Sequence, residues 1–86
     1  MKQIKLFILN NCPYCKQALQ YLNEYQQEEI YKDIVIEKIE EREQKEIANQ
    51  YDYYYVPSFY IDEKKVHEGA VTKEIVKNIL EQARIS

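Results

Sequence analysis

Residues 4–15 read IKLFILNNCPYC, and this stretch decides the architecture because its apolar period changes from strand to helix across two thiols. Ile4 to Leu9 is short and almost wholly apolar, the pattern of a parallel strand covered on both faces. Asn10 and Asn11 supply a turn. Pro13 suits the first helical position, where a missing N–H leaves nothing unpaired. From there Cys15, Ala18, Leu19, Leu22 and Tyr25 fall at helical spacing on one face, and the helix is expected to end near Gln26. Cys12 therefore stands at the amino end of a helix, where free backbone N–H groups and about half a positive charge favour a thiolate. Cys15 lies one turn inward.

The thiolate is the nucleophilic form of cysteine: an ordinary thiol is roughly 3% ionised at neutral pH, and one with a pKa near 6 would be roughly 90% ionised. Two thiols so placed read as a redox pair. A structural disulfide is the first alternative, but closing so small a loop removes little chain entropy. The second is a pair of inert thiols, which would normally be buried in a core. The third is metal: two thiolates are half a tetrahedral site, and with 2 cysteines and 1 histidine in the chain the rest must come from a dimer, or the ion must be a transient copper(I) or zinc cargo.

The 86 residues, with a formal net charge of -3, suit a single domain over 1–86 with one sheet and its helices. Lys and Arg are scattered among Glu, so no basic stripe argues for nucleic acid or an anionic membrane surface. No apolar run approaches the length of a membrane span and no leader precedes the first strand, so a cytoplasmic setting is expected. There an oxidised cysteine pair is more plausibly catalytic than structural.

Downstream, Gln27 to Asp33 reads as a connection. Ile34, Val35, Ile36 and Ile39 form a second strand with Glu37 and Lys38 at its wetter end, and Glu40 to Asp52 reads as a charged helix with Ile47, Ala48 and Tyr51 inward. Pro57 precedes an apolar strand, Ser58 to Ile61, a polar turn at Asp62 to Lys64, and a short strand, Lys65 to Glu68. Thr72 is a good N-cap for a last helix lined by Ile75, Val76, Ile79, Leu80 and Ala83. The order βαβαββα implies an α/β fold: a four-stranded mixed sheet flanked by three helices on both sides. Reactive groups in such sheets sit beyond the carboxyl ends of the parallel strands, where Cys12 falls.

With CPYC after the first strand and Val56-Pro57 before the third, the chain resembles the glutaredoxin-like members of the thioredoxin superfamily over essentially its whole length. The resemblance implies a thioredoxin-like fold of glutaredoxin size and a thiol–disulfide oxidoreductase. Cys12 matches the attacking thiol and Cys15 the resolving thiol. Pro57 matches the cis-proline beside them, and Val56 would offer its backbone to an extended substrate. Pro13 and Tyr14 between the cysteines, and Tyr55 before the valine, would frame the substrate groove. The implied partners are disulfide-containing proteins or low-molecular-weight disulfides together with a reductase. The protein is expected to act as a monomer with no bound cofactor, drawing electrons from an external reductant, glutathione or a flavin-dependent thioredoxin-type reductase. The rival from the same resemblance is a carrier of metal or an iron–sulfur cluster, held through Cys12 in a dimer.

Two departures bear on glutathione. Glutaredoxins usually carry Lys or Arg three residues before the first cysteine, where this chain has Leu9, and a Gly-Gly-x-Asp-Asp type segment where it has Glu68-Gly69-Ala70-Val71-Thr72. Glu68 would set a negative charge where a dicarboxylate peptide should dock. Gly69-Ala70 followed by Lys73 is more similar to thioredoxins, although the buried acid of that family is replaced by Leu6.

Other residues have plainer readings. Tyr53, Tyr54 and Tyr55 either wall the thiols or pack under the sheet edge, and consecutive rings cannot all face one way. Lys16 reads as a solvated helix lysine, His67 as a surface or edge residue, and Glu40, Glu41 and Glu43 as a solvated helix start.

Overall fold

The computed structural model describes residues 1–86. Its elements run β1 (Ile4–Ile8), α1 (Pro13–Tyr25), β2 (Ile36–Glu40), α2 (Lys45–Ala48), β3 (Ser58–Ile61), β4 (Lys64–Glu68) and α3 (Lys73–Ile85). The sheet order is β2-β1-β3-β4: β2 lies parallel to β1, β3 antiparallel to β1, and β4 antiparallel to β3. This is the thioredoxin-like α/β arrangement expected, with helices on both faces.

Alternation along β1 sends its side chains to two separate cores. Ile4, Leu6 and Ile8 join Ala18, Leu22, Phe59, Ile61, Val76, Ile79, Leu80 and Ala83 in a largely aliphatic core under α1 and α3. Each fully buried aliphatic side chain there contributes about 1.5–3 kcal/mol. Phe7 points the other way, into a smaller core with Ile39, Ala48 and Tyr60, against which Tyr51 and Tyr53 pack. The helices begin where their caps dictate. Thr72 Oγ1 accepts from the Ile75 N–H at 3.1 Å, and Cys12 caps α1 with Pro13 just inside it.

The hairpin between β3 and β4 turns on Asp62 and Glu63, both at positive φ (55° and 65°). Those angles match the two-residue turn whose twist suits adjoining antiparallel strands.

Two expectations are corrected. The second strand starts at Ile36 rather than Ile34: Ile34 is buried in the connection and Val35 is exposed. Gln26 Nε2 donates to the Ile34 carbonyl at 2.8 Å, holding that connection off the strand. The helix read over Glu40 to Asp52 shrinks to Lys45–Ala48. Glu40 ends β2, is buried, and its carboxylate accepts from the backbone N–H groups of Asn10 (2.8 Å) and Arg42 (2.7 Å). A side chain that captures nearby amides competes with the helix that would otherwise use them. Beyond Ala48, Tyr51 is drawn onto Phe7 and Tyr60 instead of continuing the helix, with ring centroids at 4.8 and 4.9 Å.

Candidate active site at the thiol pair

The site forms where two loops meet at one end of the sheet. Leu9 to Cys12 leaves β1, and Asp52 to Pro57 enters β3. The Cys12 N–H donates to the Leu9 carbonyl at 3.3 Å, which closes the first loop, and α1 begins at once. Cys12 is partly exposed, whereas Cys15 is 1% exposed and belongs to the aliphatic core. Both are free thiols.

Their surroundings differ as much as their exposure. The Cys15 N–H donates to Cys12 Sγ at 3.4 Å, so a backbone donor at the helix start faces the sulfur. Burial pushes the Cys15 thiol up to about 12, with Cys12 beside it acting in the same direction and the Leu9 backbone opposing. Across the gap, Cys12 Sγ lies 3.9 Å from the Val56 carbonyl, to which the thiol donates. The Val56–Pro57 peptide is cis, and Pro57 is buried against the start of β3. The Gly69 N–H donates to the Pro57 carbonyl at 2.8 Å, and Gly69 adopts φ +96°, a conformation that suits a residue without Cβ.

The consecutive tyrosines divide. Tyr53 packs on Phe7, ring centroids 4.9 Å apart, and donates its hydroxyl to Glu41 at 3.0 Å, while burial raises its phenol. Tyr54 and Tyr55 are 83% and 71% exposed, and Tyr14 is 57% exposed. Tyr14 thus lies in the first turn of α1 beside Cys12, and Tyr55, Val56 and Pro57 lie on the facing loop, while Tyr53 belongs to the smaller core. An open depression of about 440 Å³ lies between α2 and the Tyr51–Tyr54 stretch, and neither cysteine lines it. His67 sits on β4 with Nε2 2.9 Å from the Ala70 carbonyl oxygen. No three His, Cys, Asp or Glu side chains are grouped as a tetrahedral metal site requires.

Two carboxylates brace the loops, and neither brace was foreseen. Glu40, read as part of a solvated helix start, is buried and holds the Asn10 N–H just ahead of Cys12; that bond, followed by those from Arg42 and Glu43, holds its carboxyl below the usual carboxylate pKa. Glu68 accepts from the backbone N–H groups of Tyr54 and Tyr55, the latter at 2.7 Å, and from Lys65 Nζ at 2.6 Å. Lys65, then those two amides, hold the Glu68 carboxyl down at about 2. Its charge is matched within the fold, which corrects the picture of a free negative charge beside the site. Local capture of i+2 and i+3 amides by Glu40 is a pattern the sequence contains. Nothing in spacing announces that Glu68 faces a loop 13 residues earlier.

Residues 2–81 match the model of the thioredoxin domain family. The chain belongs to that family. A thioredoxin domain with two nearby cysteines supports thiol–disulfide oxidoreductase chemistry in general. Among solved structures, this thioredoxin domain is similar to the oxidised thioredoxin of Plasmodium falciparum, with 20% identity, TM-score 0.74, and 95% of this chain and 80% of that one covered. It is also similar to a Malassezia sympodialis thioredoxin at 15% identity and TM-score 0.76, covering 95% and 74%. A mutant thioredoxin from Halobacterium salinarum matches at 20% identity and TM-score 0.71, covering 95% and 74%. At these identities the likeness concerns the fold. No curated protein sequence matches the chain.

Proposed function

We propose that this thioredoxin domain is a glutaredoxin-like dithiol reductase that passes two electrons from Cys12 and Cys15 to a substrate disulfide. The observation that carries the reading is the asymmetry of the two sulfurs: Cys12 is accessible and faces a backbone N–H, whereas Cys15 is buried and held protonated. The Cys12 thiolate attacks one sulfur of the substrate disulfide, forming a mixed disulfide and expelling the other sulfur as a thiolate. Cys15 then loses its proton to solvent and attacks Cys12 Sγ. The bond to the substrate breaks, the second substrate thiolate leaves, and the protein is left as a disulfide.

The pair is coupled in a way that suits this order. Cys12 is one of the causes that raise the Cys15 thiol. Once Cys12 is bonded to substrate it carries no charge, so that opposition lifts and the Leu9 backbone contact remains. One of the smaller causes that hold the Cys15 proton is thereby removed, while burial, the largest, remains.

Because neither cysteine lines a cavity, the reading favours disulfides presented on an extended segment, which Tyr14, Tyr55, Val56 and Pro57 would flank. Leu9 and the Glu68-Gly69-Ala70-Val71-Thr72 segment lack the charged handles a glutathione site would use, so the proposed electron source is a flavin-dependent reductase of the thioredoxin type. Cys12→Ser should abolish disulfide reduction, and Cys15→Ser should accumulate mixed disulfides. Iodoacetamide at neutral pH should label Cys12 at least about a hundredfold faster than Cys15. Equal labelling would overturn the assigned roles. Saturable turnover with glutathione and none with the reductase would reverse the choice of reductant.

A further inference from the structure

The loop that delivers Val56 to Cys12 has few internal ties. Tyr54 and Tyr55 are its exposed crest, and no helix or strand covers residues 52–57. Ser58 Oγ of β3 donates to the Tyr55 carbonyl, and the crest amides are held by a side chain from β4. Glu68, at the end of β4, accepts both the Tyr54 and the Tyr55 N–H on a single carboxylate oxygen, and its other oxygen is held by Lys65 Nζ at 2.6 Å. Lys65 Nζ also donates to the Asp52 carbonyl at 3.2 Å, and the Tyr60 hydroxyl donates to the same oxygen at 2.6 Å. The loop is thereby clamped to β3 and β4 from Asp52 through Tyr55, immediately before the carbonyl that meets Cys12.

We propose that Glu68 is a positioning residue for substrate: by holding the Tyr54 and Tyr55 amides it keeps the Val56 backbone in the register that an extended disulfide-bearing segment must read beside Cys12. This rests on the reductase reading above. A substrate pairing with the Val56 backbone gains hydrogen bonds only if that backbone is already ordered; otherwise ordering it opposes binding. A small disulfide that contacts only the sulfur has little use for the clamp. Glu68 should therefore govern how well the protein distinguishes peptide disulfides from small ones, through binding more than through the chemical step. The Cys15 N–H that faces Cys12 Sγ and the Leu9 closure of its loop do not involve Glu68, which reaches Cys12 only through the Val56 carbonyl.

The test compares wild type, Glu68→Ala and Glu68→Gln in the pre-reduced full chain. Single-turnover rates are measured with bis-hydroxyethyl disulfide and with a linear peptide whose central cysteine is in disulfide linkage with thionitrobenzoate, alongside amide hydrogen exchange. For Glu68→Ala the half-saturating peptide concentration should rise about tenfold, the loss of a charge-assisted hydrogen bond, with the saturated rate and the small-disulfide rate within about twofold. Exchange at Tyr54 and Tyr55 should rise about tenfold or more while β1 amides stay protected. Glu68→Gln, which keeps a carbonyl acceptor, should recover part of both effects; if the Ala variant does not fold, a smaller shift of the Gln variant in the same two readouts carries the proposal.

Unchanged exchange at Tyr54 and Tyr55, or an equal loss on both substrates, would overturn it. If wild type reduces neither substrate, the reductase reading falls and takes the substrate half of the proposal with it. Exchange then judges the clamp alone.

Discussion

On the face of the sheet under α1 and α3, mainly aliphatic side chains fill the core, with Tyr31 as its one buried tyrosine, whereas on the opposite face Phe7 and Tyr60 are covered by Tyr51 and Tyr53, whose hydroxyls must each find a partner. Phe7 contacts all three tyrosine rings at centroid distances of 4.8–5.5 Å. The Tyr51, Tyr53 and Tyr60 hydroxyls go to Glu63, Glu41 and the Asp52 carbonyl. The aliphatic face carries Cys15 and so shields the second thiol. The aromatic face carries the loop that ends at Val56. One half of the site is thus supported mainly by aliphatic packing, with Tyr31 and Glu81 as its one phenol–carboxylate pair, and the other by packing plus several acid–base partners, so the two should fail under different conditions.

The largest effect should come from removing the centre of each face. Phe7→Ala should cost about 4 kcal/mol in urea unfolding and Leu80→Ala about 3 kcal/mol. Only Phe7→Ala should also erase much of the near-ultraviolet dichroism of the tyrosines. If both variants left that signal equal, the aromatic face would be no more ordered than its neighbour.

Alkaline titration should separate the faces next. Burial, as the leading cause, raises Tyr51, Tyr53 and Tyr60 above the usual phenol range, so the folded state holds these protons more tightly than the unfolded chain. Their contribution is intact below about pH 10, the ordinary phenol value, and is lost as pH rises above it. Tyr53→Phe should make that decline shallower and lower neutral-pH stability by about 1 kcal/mol through the lost bond to Glu41. Leu80→Ala should leave the slope alone. Tyr31, raised to about 12 in the aliphatic core, is the exception that a Tyr31→Phe control isolates.

The smallest effect lies at acid pH. Arg84 first, then the Tyr31 hydroxyl, hold Glu81 down at about 2. A depressed carboxylate stabilises the fold above its unfolded value of about 4.3 and ceases to do so as pH falls toward the folded one. Glu81→Gln should flatten part of the acid limb of the urea midpoint between about pH 4 and 2 and leave the alkaline limb unchanged. The remainder of that limb should belong to Glu40 and Glu68, which are lowered for the same kind of reason.

The same division explains what the sequence made legible. Elements whose apolar residues repeat at one period, β1 through Ile4, Leu6 and Ile8 or α3 through Val76, Ile79, Leu80 and Ala83, were readable because packing on one face needs little more than spacing. CPYC and Val56-Pro57 located the thiols and the loop opposite them by resemblance. The stretch from Glu40 to Asp52 was misread as one charged helix because the structure there and in the loop that follows is set by hydrogen bonds from side chains to distant groups: Glu40 to Asn10, Tyr53 to Glu41, Glu68 to Tyr54 and Tyr55. Such pairings carry no period, and a residue's helical spacing in the chain, as with Ile47, Ala48 and Tyr51, is silent about them.

The sheet ends on two rims, β2 and β4, each with backbone groups that no neighbouring strand satisfies. Lys38 on one, and Lys64 on the other, are exposed, and a charged side chain on a rim opposes the addition of a further strand there. For a protein proposed to receive foreign chain segments at one short stretch near its thiols, this matters. Charged rims discourage stray strands from adding elsewhere, so the same chemistry that guards against fibrous self-association also confines docking to a single berth.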